Sequence, residues 1–101
     1  MANQVSYQTD VSVRVQPPRL YGVILHNDDY TTMDFVVDVL VQIFGKTPVE
    51  ASGLMMRVHN SGSATVGVYS YDIAVSKKNQ TERYAQEKGF PLRITIDEAM
   101  E

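Results

Sequence analysis

The pattern of hydrophobic and polar positions divides the chain, from residue 19 onward, into strand-like and helix-like segments. Short apolar runs rich in β-forming residues predict three strands, over residues 19–26, 64–70 and 92–96. Helical spacing of apolar residues and helix-end signals predict three helices, over residues 32–44, from Pro48 to a stop at Ser61-Gly62, and over 71–88. The order β-α-α-β-α-β predicts an α+β fold, in which a three-stranded antiparallel sheet packs on three helices.

Two helix starts carry capping signals. The run Thr47-Pro48-Val49-Glu50 combines an N-cap threonine, a proline at the first helical position and a glutamate three residues after the cap. Thr31 and Asp34 have the same spacing and predict a similar capping box before the first helix. Gly45 is expected to end that first helix.

Composition narrows the classes of protein that fit. The chain has 101 residues, a net charge of −3 and a pI of about 5.3, which suits one small domain and argues against nucleic acid or an anionic membrane as a partner. It has no cysteine, so disulfides and thiolate metal sites are excluded. No apolar run is long enough to span a membrane, and no secretory signal is visible. Pro17-Pro18 predicts a boundary between a flexible tail, residues 1–16, and a core domain, residues 17–101.

The chemistry-bearing residues concentrate where the first strand gives way to the first helix. Asn27, Asp28 and Asp29 follow His26 there. Two adjacent carboxylates form an anionic spot that suits a metal ion or a protonated amine. A purely structural interpretation is also open, because Asn-Asp-Asp is typical of a polar turn and threonines are typical N-caps.

Four motifs in the chain resemble those of ClpS, the adaptor of Clp proteases. The run from Tyr21 to Val36, which contains Asn-Asp-Asp-Tyr-Thr, resembles the first signature of that family, and Leu54-Met55-Met56-Arg57-Val58-His59 resembles the second. Tyr71-Asp72-Ile73-Ala74 and Gly89-Phe90-Pro91-Leu92 resemble two further stretches. The resemblance keeps one register over about residues 17–99. The chain departs from the family pattern at Gly22, His26, Thr32 and Val75.

The resemblance implies a fold like the C-terminal domain of ribosomal protein L7/L12 and a function without catalysis. A ClpS adaptor binds proteins that have a free α-amine and a bulky apolar first residue (Leu, Phe, Tyr or Trp), together called an N-degron. It delivers them to the N-terminal domain of a Clp unfoldase, either ClpA-like or ClpC-like. The resemblance implies no cofactor and no metal. It also implies the cytoplasm of a bacterium, with the plastid stroma as an alternative.

The resemblance also implies roles for individual residues. Those expected to bind the α-amine are Asn27, Asp28 and His59. Those expected to form the pocket for the first side chain are Thr31, Met33, Val36, Met55, Val58 and Leu92. His26 is a possible modifier of the pocket. Asp72 and Lys77 are expected to dock the unfoldase, and the tail, residues 1–16, to assist delivery.

The residue chemistry agrees with these implied roles. Met55, Val58 and His59 are spaced i, i+3 and i+4, so they share one helical face. Asp28 supplies a charge for an ammonium group. An internal peptide segment has no ammonium and would leave that carboxylate desolvated without a partner. This penalty excludes internal segments from the site.

Two other classes of function are also open. A metal-dependent hydrolase would use Asp28, Asp29, His26 and His59 as ligands, although no nucleophile, Gly-rich loop or metal-ligand spacing supports catalysis. The second alternative is a non-catalytic interaction module of the same fold that binds a different peptide.

Overall fold

The computed structural model describes residues 17–99, so the tail predicted for residues 1–16 lies outside the described residues. The elements are β1 (Tyr21–His26), α1 (Met33–Gln42), α2 (Pro48–Ser61), β2 (Ser63–Tyr69), α3 (Tyr71–Lys88) and β3 (Arg93–Glu98). β1 is the central strand, and it pairs antiparallel with both β2 and β3. The predicted α+β fold, with its element order and its three-stranded antiparallel sheet, is therefore confirmed.

One face of the sheet packs against the helices and forms the core. In β1, Val23 and Leu25 are fully buried, while Ile24 between them is only partly buried. α1 contributes the fully buried Val39 and Leu40 to the same cluster. Burial of each such side chain stabilises the fold by about 1.5–3 kcal/mol. The packing of β1 against α1 therefore fixes the position of this strand and of both its ends.

The first helix begins and ends differently from the prediction. Thr32, not Thr31, is the N-cap of α1, and its hydroxyl oxygen accepts a hydrogen bond from the Phe35 N–H at 3.1 Å. The predicted capping box of Thr31 with Asp34 is therefore wrong. α1 ends at Gln42 rather than at Phe44, and Gly45 follows with a φ of 66°, which is the left-handed conformation that glycine adopts without strain.

The capping box predicted at the start of α2 is confirmed. The Thr47 hydroxyl accepts from the Glu50 N–H at 3.2 Å, and the Glu50 carboxylate accepts from the Thr47 N–H at 2.9 Å. Hydrogen bonds to the Glu50 carboxylate from the Thr47 backbone N–H and the Thr47 side chain hold the pKa of Glu50 below its usual value. Gly62, with a φ of 90°, ends the helix as expected. Both ends of the helix that carries Met55, Val58 and His59 are thus fixed by local sequence.

The third strand is displaced from its predicted range of 92–96 and runs from Arg93 to Glu98. Its last two residues pair with Gly22 and Tyr21, so the length of β1 sets where β3 ends. On the other side of β1, a register shift between Val23 and Ile24 interrupts the pairing with β2. Within residues 17–99, none of the helices is both long enough and apolar enough to cross a membrane.

Candidate functional site

The loop between β1 and α1 begins with a bond to the end of α2. The Asn27 N–H donates to the Gly62 carbonyl at 2.8 Å, directly after the last β1 pair, His26 with Ser63. Because Gly62 terminates α2, this bond brings the loop beside the last turn of that helix. The exposed side chains of Asn27 and His59 therefore belong to one surface region.

Asp28 holds the rest of the loop in shape. One of its carboxylate oxygens, Oδ1, accepts from the Tyr30 N–H at 2.8 Å and from the Thr31 N–H at 2.7 Å. The other, Oδ2, accepts from the Thr31 hydroxyl at 2.7 Å. The sequence did not reveal this use of Thr31, which explains why the next residue, Thr32, caps the helix.

The same bonds determine the charge of the Asp28 side chain. Burial opposes ionisation, but the hydrogen bonds from Thr31 and Tyr30 outweigh it and lower the pKa of Asp28 below its ordinary value of 3.8. Asp28 is therefore a carboxylate near neutral pH. A carboxylate has about four acceptor positions, and the loop uses three of them, so a further position on Oδ2 can accept from a ligand.

A cavity of about 390 Å³ lies between this loop, the start of α1 and the end of α2. Its floor is aliphatic, because Val36 and Val58 are 6% and 2% exposed. Met33 and the partly buried Met55 form apolar walls. The polar groups that also line it are Asn27, Asp28, Asp29, Tyr30, Thr31, Thr32 and His59.

Eight of the predicted amine-binding and pocket residues line this one cavity, and Leu92 does not. Leu92 is 7% exposed and belongs to the hydrophobic core, so its apolar character reflects packing of the sheet against the helices. The residue roles implied by the family resemblance did not include Asp29, Tyr30 or Thr32, which also line the cavity. The adjacent carboxylates had already indicated Asp29 as part of an anionic spot, whereas for Tyr30 and Thr32 the only sequence signal is their position in the loop that forms the cavity.

His26 lies outside the cavity as well. It alternates with the buried Leu25 along β1, so its side chain faces the side of the sheet opposite the helices. Its Nε2 lies 2.8 Å from the Thr95 hydroxyl oxygen. Burial, together with the positive charge of Arg93, lowers the pKa of His26, while Asp97 acts in the opposite direction. The predicted role of His26 as a pocket modifier therefore has no direct contact to support it.

Asp72 and Lys77 lie on α3, which starts at the end of the sheet away from the cavity. Asp72 is exposed in the first turn of the helix. Lys77 already has internal contacts, because its Nζ donates to the Ile43 carbonyl at 2.7 Å and lies 5.9 Å from the centre of the Tyr69 ring. The lysine thus helps to satisfy the C-terminal end of α1.

Size alone does not single out this cavity. A groove of about 480 Å³ passes Asp38, Arg83 and Tyr84, and another of about 510 Å³ passes Tyr21 and Tyr71. The cavity beside Asp28 differs in combining a floor of two buried valines with a carboxylate, an amide and an imidazole, and in having no Lys or Arg among its lining residues. This combination suits a ligand that has one apolar end and one cationic end.

The described residues do not support the hydrolase alternative. Within residues 17–99, no three His, Cys, Asp or Glu side chains lie close enough together to hold a metal ion. The four ligands that the alternative needs are also divided, because His26 lies on the other side of the sheet from the cavity that contains Asp28, Asp29 and His59. The fold and the chemistry of the cavity instead suit a module that binds a small amphipathic group.

Comparison with known proteins identifies the family. The family described as "ATP-dependent Clp protease adaptor protein ClpS" matches residues 16–95. The chain belongs to this family, whose members are adaptors of the Clp protease and not enzymes. The resemblance inferred from the four motifs is thereby confirmed.

Individual relatives match more than four fifths of the chain. The ClpS adapter of Wolinella succinogenes is 46% identical over 97% of this chain and 98% of its own length. The adapter of Clostridium acetobutylicum is 45% identical over 84% of each chain. A solved structure, that of Agrobacterium tumefaciens ClpS2 bound to L-phenylalaninamide, is 40% identical, with a TM-score of 0.79 over 82% of this chain and all of its own.

Proposed function

We propose that this adaptor binds proteins whose first residue is Leu, Phe, Tyr or Trp with a free α-amine, and that it delivers them to a Clp unfoldase in the bacterial cytoplasm. The observation that carries the proposal is the aliphatic floor of Val36 and Val58 below the polar groups of Asn27, Asp28 and His59. A protein N-terminus offers the complementary pair, an apolar side chain and an ammonium on the same carbon atom.

The ammonium pairs with the part of the Asp28 carboxylate that the loop leaves available. A charge-assisted hydrogen bond of this kind contributes about 1.5–3 kcal/mol. Asn27 offers an acceptor for the ammonium and a donor for the first peptide carbonyl. His59, on the helix opposite the loop, offers a further ring nitrogen.

The first side chain enters the apolar part of the cavity. Met33 and Met55 are flexible and polarizable, so they can adjust to a branched aliphatic or an aromatic side chain. Burial of such a side chain contributes about 1.5–3 kcal/mol. Phenylalaninamide, the ligand of the Agrobacterium relative, has the proposed elements: a free α-amine, an apolar side chain and an amide in place of a carboxylate.

Fluorescence anisotropy with paired peptides tests the proposal. One peptide begins with free Leu or Phe, and its partner has the same sequence with an acetylated N-terminus. We expect binding of the free peptide only, because acetylation removes the ammonium and leaves Asp28 without its partner. Equal binding of both peptides would contradict recognition of the amine. Binding of neither would favour the alternative of an interaction module with another partner.

For the unfoldase we propose that Asp72 is a docking residue and that Lys77 contributes mainly by holding α3 against the end of α1. Asp72→Lys should weaken association with the N-terminal domain of a ClpA-like or ClpC-like unfoldase, measured by calorimetry, without changing peptide affinity. Glu87→Lys, which makes the same charge change at an exposed position near the other end of α3, serves as the control. Equal weakening by both variants would indicate a general charge effect and contradict a specific role of Asp72.

A further inference from the structure

Two of the three methionines within residues 17–99 line the proposed binding cavity. The chain has five methionines and no cysteine, so thioethers are its only sulfur groups. Met33 and Met55 line the cavity. Met33 is 42% exposed, which leaves its side chain accessible from solvent. Met56, the neighbour of Met55 on α2, is 43% exposed but is not among the residues that line the cavity.

We propose that Met33 is an oxidation site, and that conversion of its thioether to a sulfoxide closes the cavity to apolar first residues. This inference rests on the proposed function, since it concerns regulation of the same pocket. The oxidant is a peroxide. The sulfur attacks one peroxide oxygen, the S–O bond forms and the O–O bond breaks. The sulfur loses two electrons, and the peroxide is reduced to water or, for an organic peroxide, to an alcohol.

Oxidation of Met33 should weaken ligand binding because the cavity that this side chain lines has an apolar floor. Val36 and Val58 make the floor apolar, and an incoming Leu or Phe side chain would cover the Met33 side chain. A sulfoxide oxygen in that position loses its water without gaining a hydrogen-bond donor in exchange. From the usual cost of burying a polar group, we expect affinity to fall about tenfold to hundredfold.

The fold itself should tolerate the oxidation. Met33 is the first residue of α1, where Thr32 provides the N-cap, and its side chain is not part of the buried core. The modification is also chemically reversible, because methionine sulfoxide reductases restore the thioether, one enzyme for each sulfoxide epimer. Oxidation would therefore act on ligand binding and not on the amount of folded protein.

The experiment compares each protein with itself before and after treatment with hydrogen peroxide. Peroxide is removed with catalase, peptide mass spectrometry measures the oxidation of each methionine, and circular dichroism checks the fold. Anisotropy with a methionine-free peptide that begins with Phe then gives the ratio of Kd after treatment to Kd before it. The proteins are wild type, Met33→Leu, Met55→Leu and Met56→Leu.

We expect a ratio of about ten or more for wild type and for Met56→Leu, and a ratio near one for Met33→Leu, whatever its starting affinity. Treatment of the oxidised wild type with both sulfoxide reductases should restore its Kd. Met56→Leu is the matched control, because that variant removes an equally exposed methionine outside the cavity.

Three results would overturn the inference. The first is unchanged affinity of wild type with Met33 fully oxidised. The second is a Met33→Leu ratio as large as that of wild type, which would assign the loss to another residue such as Met55. The third is a peroxide treatment that oxidises Met56 but leaves Met33 reduced. Untreated wild type separates the two claims: if it does not prefer the free over the acetylated peptide, the proposed function itself fails.

Discussion

Replacement of Asp28 tests how one carboxylate both shapes the loop and binds the ligand. Asp28→Asn keeps an oxygen that can accept from the Tyr30 and Thr31 N–H groups, but removes the charge and the acceptor for the Thr31 hydroxyl. Asp28→Ala removes all three bonds. We therefore expect Asp28→Asn to weaken peptide binding with little loss of stability. Asp28→Ala should lower both the affinity for the peptide and the stability of the fold.

The magnitudes follow from the bonds that each variant removes. Loss of one charge-assisted bond to the ammonium, about 1.5–3 kcal/mol, corresponds to a Kd about tenfold to hundredfold higher. The loop bonds are partly exposed to solvent, so Asp28→Ala should lower the free energy of unfolding by about 1 kcal/mol rather than by the sum of three bonds. For a domain of this size, 1 kcal/mol lowers Tm by about 4–8 °C.

Anisotropy with a free-amine Phe peptide measures the binding loss, and thermal unfolding by circular dichroism measures the stability. Asp29→Asn is the matched variant, because it removes the same charge from the adjacent residue of the same cavity without removing the Asp28 bonds. It should weaken binding much less, through long-range attraction alone. An Asp28→Asn protein that binds as tightly as wild type would refute the assigned amine contact.

Three further predictions concern the pocket, the helix that carries His59 and the pH dependence. Met33→Ala should gain affinity for peptides that begin with Ile or Val, because a shorter wall leaves room for a β-branched side chain; unchanged preferences on a peptide array would contradict this. Thr47→Ala should lower the free energy of unfolding by about 1 kcal/mol through loss of the capping box. Its peptide Kd, measured well below Tm, should equal that of wild type, and a higher Kd would show that the cap also positions the site. The folded-state pKa of Asp28 is lowered, so its stabilisation is present above the ordinary value of 3.8 and is lost as pH falls further. In urea unfolding, the stability advantage of wild type over Asp28→Ala should therefore shrink on acidification below that value, and an advantage that grows would contradict the lowered pKa.

The parts of the fold that local sequence determines were predictable. Thr47, Pro48 and Glu50 fix the start of α2 without help from the rest of the chain, and the structure has the predicted capping box. The start of α1 was not predictable in the same way. Thr31 and Thr32 are equally good N-caps, and the choice between them depends on Asp28, which recruits the Thr31 hydroxyl.

The candidate site was predictable only with the family resemblance. The spacing of Met55, Val58 and His59 placed them on one helical face, but it could not show that the loop after β1 reaches that face. The bond from Asn27 to Gly62 makes that approach, and no pattern in the sequence indicates it. The position of His26 outside the cavity was predictable, because strand alternation already puts His26 and the buried Leu25 on opposite faces of the sheet.

The most direct test of the central claim is an NMR titration of the ¹⁵N-labelled protein with an unlabelled peptide that begins with free Phe. We predict that the largest amide shifts fall in the loop from Asn27 to Met33 and in the last turns of α2 around Val58 and His59. Two other grooves of comparable size provide the contrast. Largest shifts beside Asp38 and Tyr84, or beside Tyr21 and Tyr71, would contradict the assignment of this cavity as the binding site.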